Sequence, residues 1–343
     1  MALLTIKQLA EQLGLAPSTV SKALRDSYEI SAETKQRVLE AARQYHFTPN
    51  PYASSLRRKN SRTIAIVVPE VEDSFFSTAI NGIEFVAHSA DYHVLIYLTH
   101  EDQALEESIL RELSNGRVDG ILISVATGSA SARHLLDYNM SGKPLVFFDR
   151  VLDEVPVHKV ITDDFEAGYL ASKHLLENGC THISFLSIGD GLNIMKQRFD
   201  GGAKAVREFR PGTPYHYVNC SPDPNTARIL IQKLLTSANQ PDGIIGAVEK
   251  LAIATYLECK SLEIRIPEDL RVLAFSNLPT ASLLKPGLST IRQPAYEIGK
   301  KAASLLFESL NKNKPPFTPK SIVVPSVLEP RASTLWKEWQ DHQ

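Results

Sequence analysis

The stretch TIKQLAEQLGLAPSTVSKAL, Thr5 to Leu24, decides how the N-terminal part of the chain folds. Thr5 with Gln8 three residues on has the capping-box pattern, and Ile6, Leu9, Ala10 and Leu13 fall on one face of the helix that follows. Gly14 stops that helix and permits a left-handed turn. Two residues later Pro17, suited to a first helical position, opens a second helix with Val20, Ala23 and Leu24 facing inward. Small Ala10 allows the second helix to approach closely and Val20 fills the wedge between the two, which is what a helix-turn-helix requires. Further on, Ser31 can cap AETKQRVLEAARQYH, whose Val38, Leu39, Ala42 and Tyr45 make another apolar stripe. Three short helices sharing one small core are expected over residues 1–49.

Charge gives this head a partner. Residues 1–62 hold ten Lys and Arg against five acids, a net +5, while the rest of the 343-residue chain carries −7. A basic head on an acidic body points to a polyanion bound by the head alone. In a helix-turn-helix the second helix lies in the major groove, which would bring Pro17, Ser18 and Lys22 near base edges and Thr5, Thr19 and Ser21 near phosphate oxygens.

The head is followed by NPYASSLRRKNSR, Asn50 to Arg62. Asn50 is a good N-cap, Pro51 suits the next position, and Tyr52 to Leu56 can continue for a turn or two. Such a helix is too short to stand alone, and the Arg57, Arg58, Lys59 run repels itself. It is expected to fold only when contacts from outside the segment support it.

Beyond Ser61 the pattern changes. RTIAIVVP, HVLIYL, GILIS and PLVFF are short apolar runs separated by amphipathic or charged helical stretches, and from about Asp163 the alternation restarts through HISFL, Tyr215 to Val218, GIIGA and RVLAF. Strand and helix alternating in this way predict parallel sheet with covering helices, arranged as two similar α/β lobes. Ligands of such sheets lie in the cleft at the carboxyl ends of the strands. Cys180, Cys220 and Cys259 are odd in number and far apart, so neither a disulfide framework, a zinc site nor any other metal is expected. The start of the chain does not read as an export signal and no run reaches the roughly 18 apolar residues of a membrane span, so a cytoplasmic protein is expected. There is no G-x-S-x-G, P-loop or H-E-x-x-H, and GDGLNI lacks the third glycine of a dinucleotide fingerprint, so no enzyme and no cofactor are expected.

The stretch from Thr5 through EDSFF, together with PLVFFDR, DDFEAGYLASKHLLENG, RFDGGAKA, IPEDLRVLAFSN and LSTIRQPAYEIGKKAA in that order, resembles the LacI/GalR family of bacterial repressors. The resemblance implies an all-α helix-turn-helix head over 1–49, a hinge helix and linker over 50–60, and a body over 61–343 made of two Rossmann-like lobes as in periplasmic sugar-binding proteins. Lobe one would span about 61–162 plus 293–325 and lobe two about 163–292 plus 326–343, with chain crossings near Asp163, Gln293 and Pro325. It further implies a homodimer on a pseudo-palindromic operator, repressing genes of carbohydrate use. Asn50, Ala53, Leu56 and Arg57 of the hinge would join the DNA contacts, Leu56 entering the minor groove. The tail after Ser326 lacks the leucine heptads of a four-chain coiled coil, which favours the dimer.

For the small-molecule effector, strand ends and motif positions together nominate Asp73, Phe75 and Phe76 in EDSFF, Asp149 at the end of PLVFFD, and Arg198 in KQRFDGG, the family's ligand-binding arginine. An aromatic face suits the apolar side of a sugar, and a guanidinium fork suits paired hydroxyls or a carboxylate. Three departures stand out. Ala16 replaces the family's usual serine cap; Val248 and Glu249 stand where the family reads Asn-Asp; Ser276 replaces an aspartate. Glu249 and Ser276 are therefore candidates of altered chemistry, and a sugar or sugar derivative is expected before a purine. The alternatives are a purine-responsive regulator and a sugar-binding protein with no regulatory role.

Overall fold

The computed structural model describes residues 4–45, 47, 61–127, 132–189, 192–221, 223–311 and 318–335. The chain divides into two compact units, residues 1–61 and 62–343.

In the head, Thr5 caps α1 (Ile6–Leu13) by the reciprocal bonds expected of a capping box: its hydroxyl accepts from the Gln8 amide at 3.4 Å and its own amide donates to Gln8 Oε1 at 2.8 Å. Gly14 ends the helix with φ +63°, a conformation that a Cβ would strain. Helix α2 (Pro17–Ala23) starts on Pro17 without a side-chain cap at Ala16, and Ser31 caps α3 (Ala32–Gln44). The core is Leu9, Ala10, Val20, Ala23, Val38, Ala41 and Ala42. Two members of the expected third stripe lie outside it: Leu39 is 44% and Tyr45 42% exposed. The inward face of α3 runs through 38, 41 and 42, and Leu39 is about 100° off it; the helix ends at Gln44, before Tyr45 can complete a further turn.

The body contains two six-stranded sheets. The first has the order β11-β5-β4-β3-β1-β2, all parallel, from β1 (Thr63–Val68), β2 (His93–Leu98), β3 (Gly120–Ile123), β4 (Leu145–Phe148), β5 (His158–Thr162) and β11 (Ser321–Val324). The second repeats that order as β12-β10-β9-β8-β6-β7, from β6 (Ile183–Ser187), β7 (Tyr215–Asn219), β8 (Gly243–Gly246), β9 (Arg271–Phe275), β10 (Ser289–Arg292) and β12 (Val327–Glu329), with only β12 antiparallel to its neighbour. The chain passes between the sheets after β5, after β10 and between β11 and β12.

Both faces of the first sheet are covered, and β1 shows why its residues are apolar throughout. Ile64, Ile66 and Val68 pack with α4 (Ser74–Ser89) and α11 (Ala295–Leu310) on one face. Ala65 and Val67 pack with α5 (Gln103–Leu113) and α6 (Arg133–Met140) on the other. A strand buried on both sides reads as a continuous hydrophobic run. The second lobe carries α7 (Asp164–Glu177), α8 (Asn193–Phe209), α9 (Pro224–Leu235) and α10 (Glu249–Ser261) around one large core.

In each lobe one pair of helices crosses at near backbone contact, α4 with α11 and α7 with α8. A Cβ built on Gly168 would lie 1.9 Å from the Arg198 carbonyl oxygen, and one on Gly201 1.9 Å from that of Phe165. Glycine is what allows α8 to settle onto α7, and this contact brings Arg198 to Asp164.

Candidate effector cleft and nucleic-acid interface

The carboxyl ends of the central strands gather the charged side chains of the body. Asp149 follows β4 in a left-handed conformation, φ +61°, with its amide donating to the Val160 carbonyl at 3.0 Å. Its buried carboxyl lies 3.5 Å from the Ser124 hydroxyl and 3.9 Å from Arg150 Nε. Burial pushes its pKa up to about 7, against the pull of Arg150 and Arg198. Arg150 in turn donates to both oxygens of Glu101, at 2.8 and 2.9 Å, and its guanidinium lies 5.6 Å from the centre of the Phe76 ring. Glu101 also accepts from the amide and hydroxyl of Thr127.

From the second lobe, Arg198 is buried with Nε donating to Asp164 Oδ1 and Nη1 to the Ala247 carbonyl, each at 2.7 Å, while its plane lies over Phe275 at 4.1 Å. Burial raises the pKa of Asp164, with Arg198 opposing. Glu249 opens α10 and reaches across to lobe one: it accepts from the Ser74 amide at 2.9 Å and from the Ser74 hydroxyl, and from Ser276 Oγ at 2.9 Å. Asp73 caps α4 through the Phe75 amide at 2.8 Å, and burial together with Glu249 pushes its pKa up to about 6. Gln293, where the chain passes back to lobe one, is held by its backbone to Asn277 and has a buried Nε2 without a hydrogen-bond partner.

Two cavities open on this region. One of about 340 Å³ is lined by Asp149, Thr162, Asp163, Asp164, Asn193 and Gln197 among others. The other, about 350 Å³, has Glu70, Asp73, Glu249, Lys250, Leu251 and Leu278 in its wall. Both are of small-ligand size.

The residues nominated from sequence thus fall into three settings. Asp149 and Arg198 stand at strand-end and helix positions around the cleft, and Asp73, Glu249 and Ser276 cluster where the lobes meet. Phe75 and Phe76, 5% and 2% exposed, belong to the lobe-one core, so the face expected to stack on a sugar is taken up by packing and by Arg150. Sequence reasoning does not single out Ser74, Glu101, Arg150, Asp164 or Gln293. Arg150 adjoins Asp149 in PLVFFDR, and Asp164 begins a helix, but their partners lie 49 and 34 residues away.

In the head, Pro17, Ser18 and Lys22 are exposed on α2, with Thr19 and Ser21 half-buried beside them. Lys22 is not idle: it pairs with Glu29. Ser21 Oγ accepts from Arg25 at 2.9 Å, and the hydroxyl of exposed Thr5 is engaged in its capping box. Asn50, Ala53, Leu56 and Arg57 lie outside the described residues.

Residues 5–50 match the model of bacterial regulatory proteins of the lacI family, and residues 61–325 match that of periplasmic binding proteins and the sugar-binding domain of the LacI family. The chain belongs to the LacI family. This LacI-family member is a DNA-binding transcriptional regulator with a ligand-binding body of two periplasmic-binding-protein-like lobes. It is 28% identical over 307 residues to the HTH-type transcriptional repressor PurR of Mannheimia succiniciproducens, covering 89% of this chain and 92% of that protein. It is 27% identical over 331 residues to the ribose operon repressor of Halalkalibacterium halodurans, covering 96% and 97%. A LacI-family regulator from Enterococcus faecium, solved with bound ribose, superposes with a TM-score of 0.71 at 27% identity over 80% of this chain and 98% of that one. No helix among the described residues is long and apolar enough to cross a membrane.

Proposed function

We propose that this LacI-family regulator is a cytoplasmic, non-enzymatic repressor of carbohydrate-utilisation genes that binds a pseudo-palindromic operator as a homodimer and answers to a sugar or sugar derivative. In this reading residues 1–49 read DNA, 50–60 form the hinge, and 61–343 bind effector and dimerise. Thr5, Pro17, Ser18, Thr19, Ser21 and Lys22 contact the operator from the head, and Asn50, Ala53, Leu56 and Arg57 from the hinge. Lys22 leaves Glu29 to do so, exchanging one exposed ion pair for a guanine edge or a phosphate.

The observation that carries the effector assignment is the gathering of Asp149 and Asp164, both buried, in the wall of a cavity of about 340 Å³, with the buried guanidinium of Arg198 holding Asp164 from behind. Carboxyls and side-chain amides set around a small cavity suit the hydroxyls of a sugar. A purine is the second reading, favoured by the relatives named PurR. The packing of Phe75 and Phe76 into the core removes their stacking face for either ligand, and what favours the sugar is the run of hydroxyl acceptors Asp149, Asp163 and Asp164 in the first cavity's wall.

Two measurements on the full-length protein test this. Selection from a random duplex pool should return a symmetric sequence, and a set of unrelated sequences would overturn the operator reading. Melting with ribose, hexoses, phosphosugars and purine bases should show stabilisation by a sugar or phosphosugar, since a ligand of the native state raises the apparent melting temperature. Stabilisation by purines alone would replace the sugar with the second reading.

A further inference from the structure

We infer that Glu249 is a built-in latch: a carboxylate of lobe two held by the first turn of α4 in lobe one, drawing the two lobes together through the chain itself with no small molecule required. The contact joins residues 175 apart in sequence. Three donors converge on the one carboxylate, the Ser74 amide and hydroxyl from lobe one and Ser276 Oγ from lobe two. An anion at the start of a 16-residue helix meets unpaired amides and the positive end of the helix dipole. One residue further along α10, Lys250 pairs with Glu70 at 3.2 Å, a second bridge between the same two lobes. Other inter-lobe bonds, such as Thr162 with Ser326 and the Ser326 amide with Asp163, lie where the chain itself passes from lobe to lobe and connect neighbours in any arrangement. The Glu249 and Lys250 bridges lie far in sequence from those passages, so they exist only while the lobes are close.

This contact gives the departures in the sequence a meaning. A serine at 276 is a donor where an aspartate would repel the carboxylate, and glutamate at 249 has the reach to span to Ser74. An effector that separates Ser74 from Glu249 opens the lobes, and one that leaves the contact intact binds the closed form. The latch stands whether the effector is a sugar, a purine or neither, because it concerns the ligand-free chain.

Spin labels on Glu107→Cys in α5 and Lys233→Cys in α9 report the separation of the lobes in the full-length protein; both sites are exposed, whereas the three native cysteines are buried. Without ligand, the otherwise unaltered protein should give one narrow distance distribution. Glu249→Ala should shift and broaden it, and sodium acetate should restore the narrow distribution by refilling the three donors, while sodium chloride at equal ionic strength should not. Ser74→Ala, which removes a single donor and buries no charge, should broaden the distribution in the same direction and serves if Glu249→Ala does not fold. A distribution unchanged in both variants overturns the latch. So does opening that acetate leaves uncorrected, since packing rather than the carboxylate would then hold the lobes.

Discussion

The two lobes share a strand order and a way of joining helices, yet use the second differently. In lobe one, α4 and α11 meet across Gly82 and Gly299, where a Cβ would lie 2.2 Å from the Tyr296 carbonyl oxygen and 2.1 Å from that of Ala79. The surroundings are Ile83, Ile298 and Ala302, an apolar seam. In lobe two, α7 and α8 meet across Gly168 and Gly201 at the same closeness, but the crossing also holds the buried Asp164 and Arg198 pair. An ion pair without water repays its desolvation only with good geometry and further hydrogen bonds. An apolar seam would hold two helices more simply, as lobe one demonstrates. The difference teaches that two helices can be held this closely without charge, and under the function proposed above the pair in the lobe-two crossing serves the ligand chemistry of the cleft.

The largest effect should come from breaking that pair on one side. Arg198→Ala leaves Asp164 buried without its guanidinium and should cost roughly 3 to 5 kcal/mol by denaturant unfolding. The paired replacement Arg198→Met with Asp164→Leu should recover most of that loss while abolishing stabilisation by the effector. Retained ligand stabilisation in the double variant would mean that the pair is a helix fastener after all, and the contrast between the lobes would collapse.

Next in size is a pH effect centred on Asp149. Its native pKa is about 7, against an unfolded value near 3.9. Between those values the native state keeps a proton that the unfolded chain gives up, so this contribution to stability is present in full below about pH 4 and is lost as pH rises through 7. Asp73, at about 6, acts in the same direction over a narrower window. Asp149→Asn is neutral throughout, so its stability relative to the parent should climb between pH 4 and 7, by about 2 to 4 kcal/mol if the group titrates independently. Unfolding curves at several pH values decide it. A difference that stays flat would place an ionised Asp149 against the arginines, making the lobe-one side of the cleft a charge pair like that of lobe two.

What is legible in the sequence follows from distance along the chain. The capping box at Thr5, the turn at Gly14 and the strands built from RTIAIVVP or RVLAF are local, and they appear where periodicity and turn residues put them. The strands β5, β10, β11 and β12 have three to five residues and too few alternations to announce themselves; neighbours from distant parts of the chain define them. The stripe on α3 misleads at Leu39 and Tyr45 because one helix cannot reveal which edge of its apolar arc its partners will cover. For the proposed effector site, strand end and motif nominate Asp149 and Arg198 from local sequence. Glu249 stands out only as an odd residue, since its partner Ser74 is 175 positions away and no pattern within either segment refers to the other. The burial of Phe75 and Phe76 is equally hidden: an aromatic pair at a helix start looks the same whether it faces a ligand or the core.

The smallest expected effect gives the most direct comparison of the two crossings. Gly299→Ala and Gly168→Ala each place a methyl group about 2 Å from a carbonyl oxygen, at 2.1 and 1.9 Å, closer than any real Cβ sits, so each pair of helices must part by a fraction of an ångström. Overpacking of this kind costs about 1 to 3 kcal/mol, and the two substitutions should fall in that range together. Their consequences for ligand should differ. Parting α4 from α11 pushes on the Ala79 carbonyl within an apolar seam that holds none of Asp149, Asp164 or Arg198. Parting α7 from α8 pushes directly on the backbone of residue 198, because the oxygen that the new methyl meets is the Arg198 carbonyl. A guanidinium fixed by Asp164, Ala247 and Phe275 then either loses those partners or moves relative to Asp149, and a misplacement of that order is enough to spoil binding geometry. Melting with and without the stabilising sugar reads both quantities from one experiment: similar drops in unliganded melting temperature, but a shift on ligand addition kept in Gly299→Ala and diminished in Gly168→Ala. Equal ligand shifts in the two variants would show that the lobe-two crossing, for all its charge, is mechanically separate from the ligand.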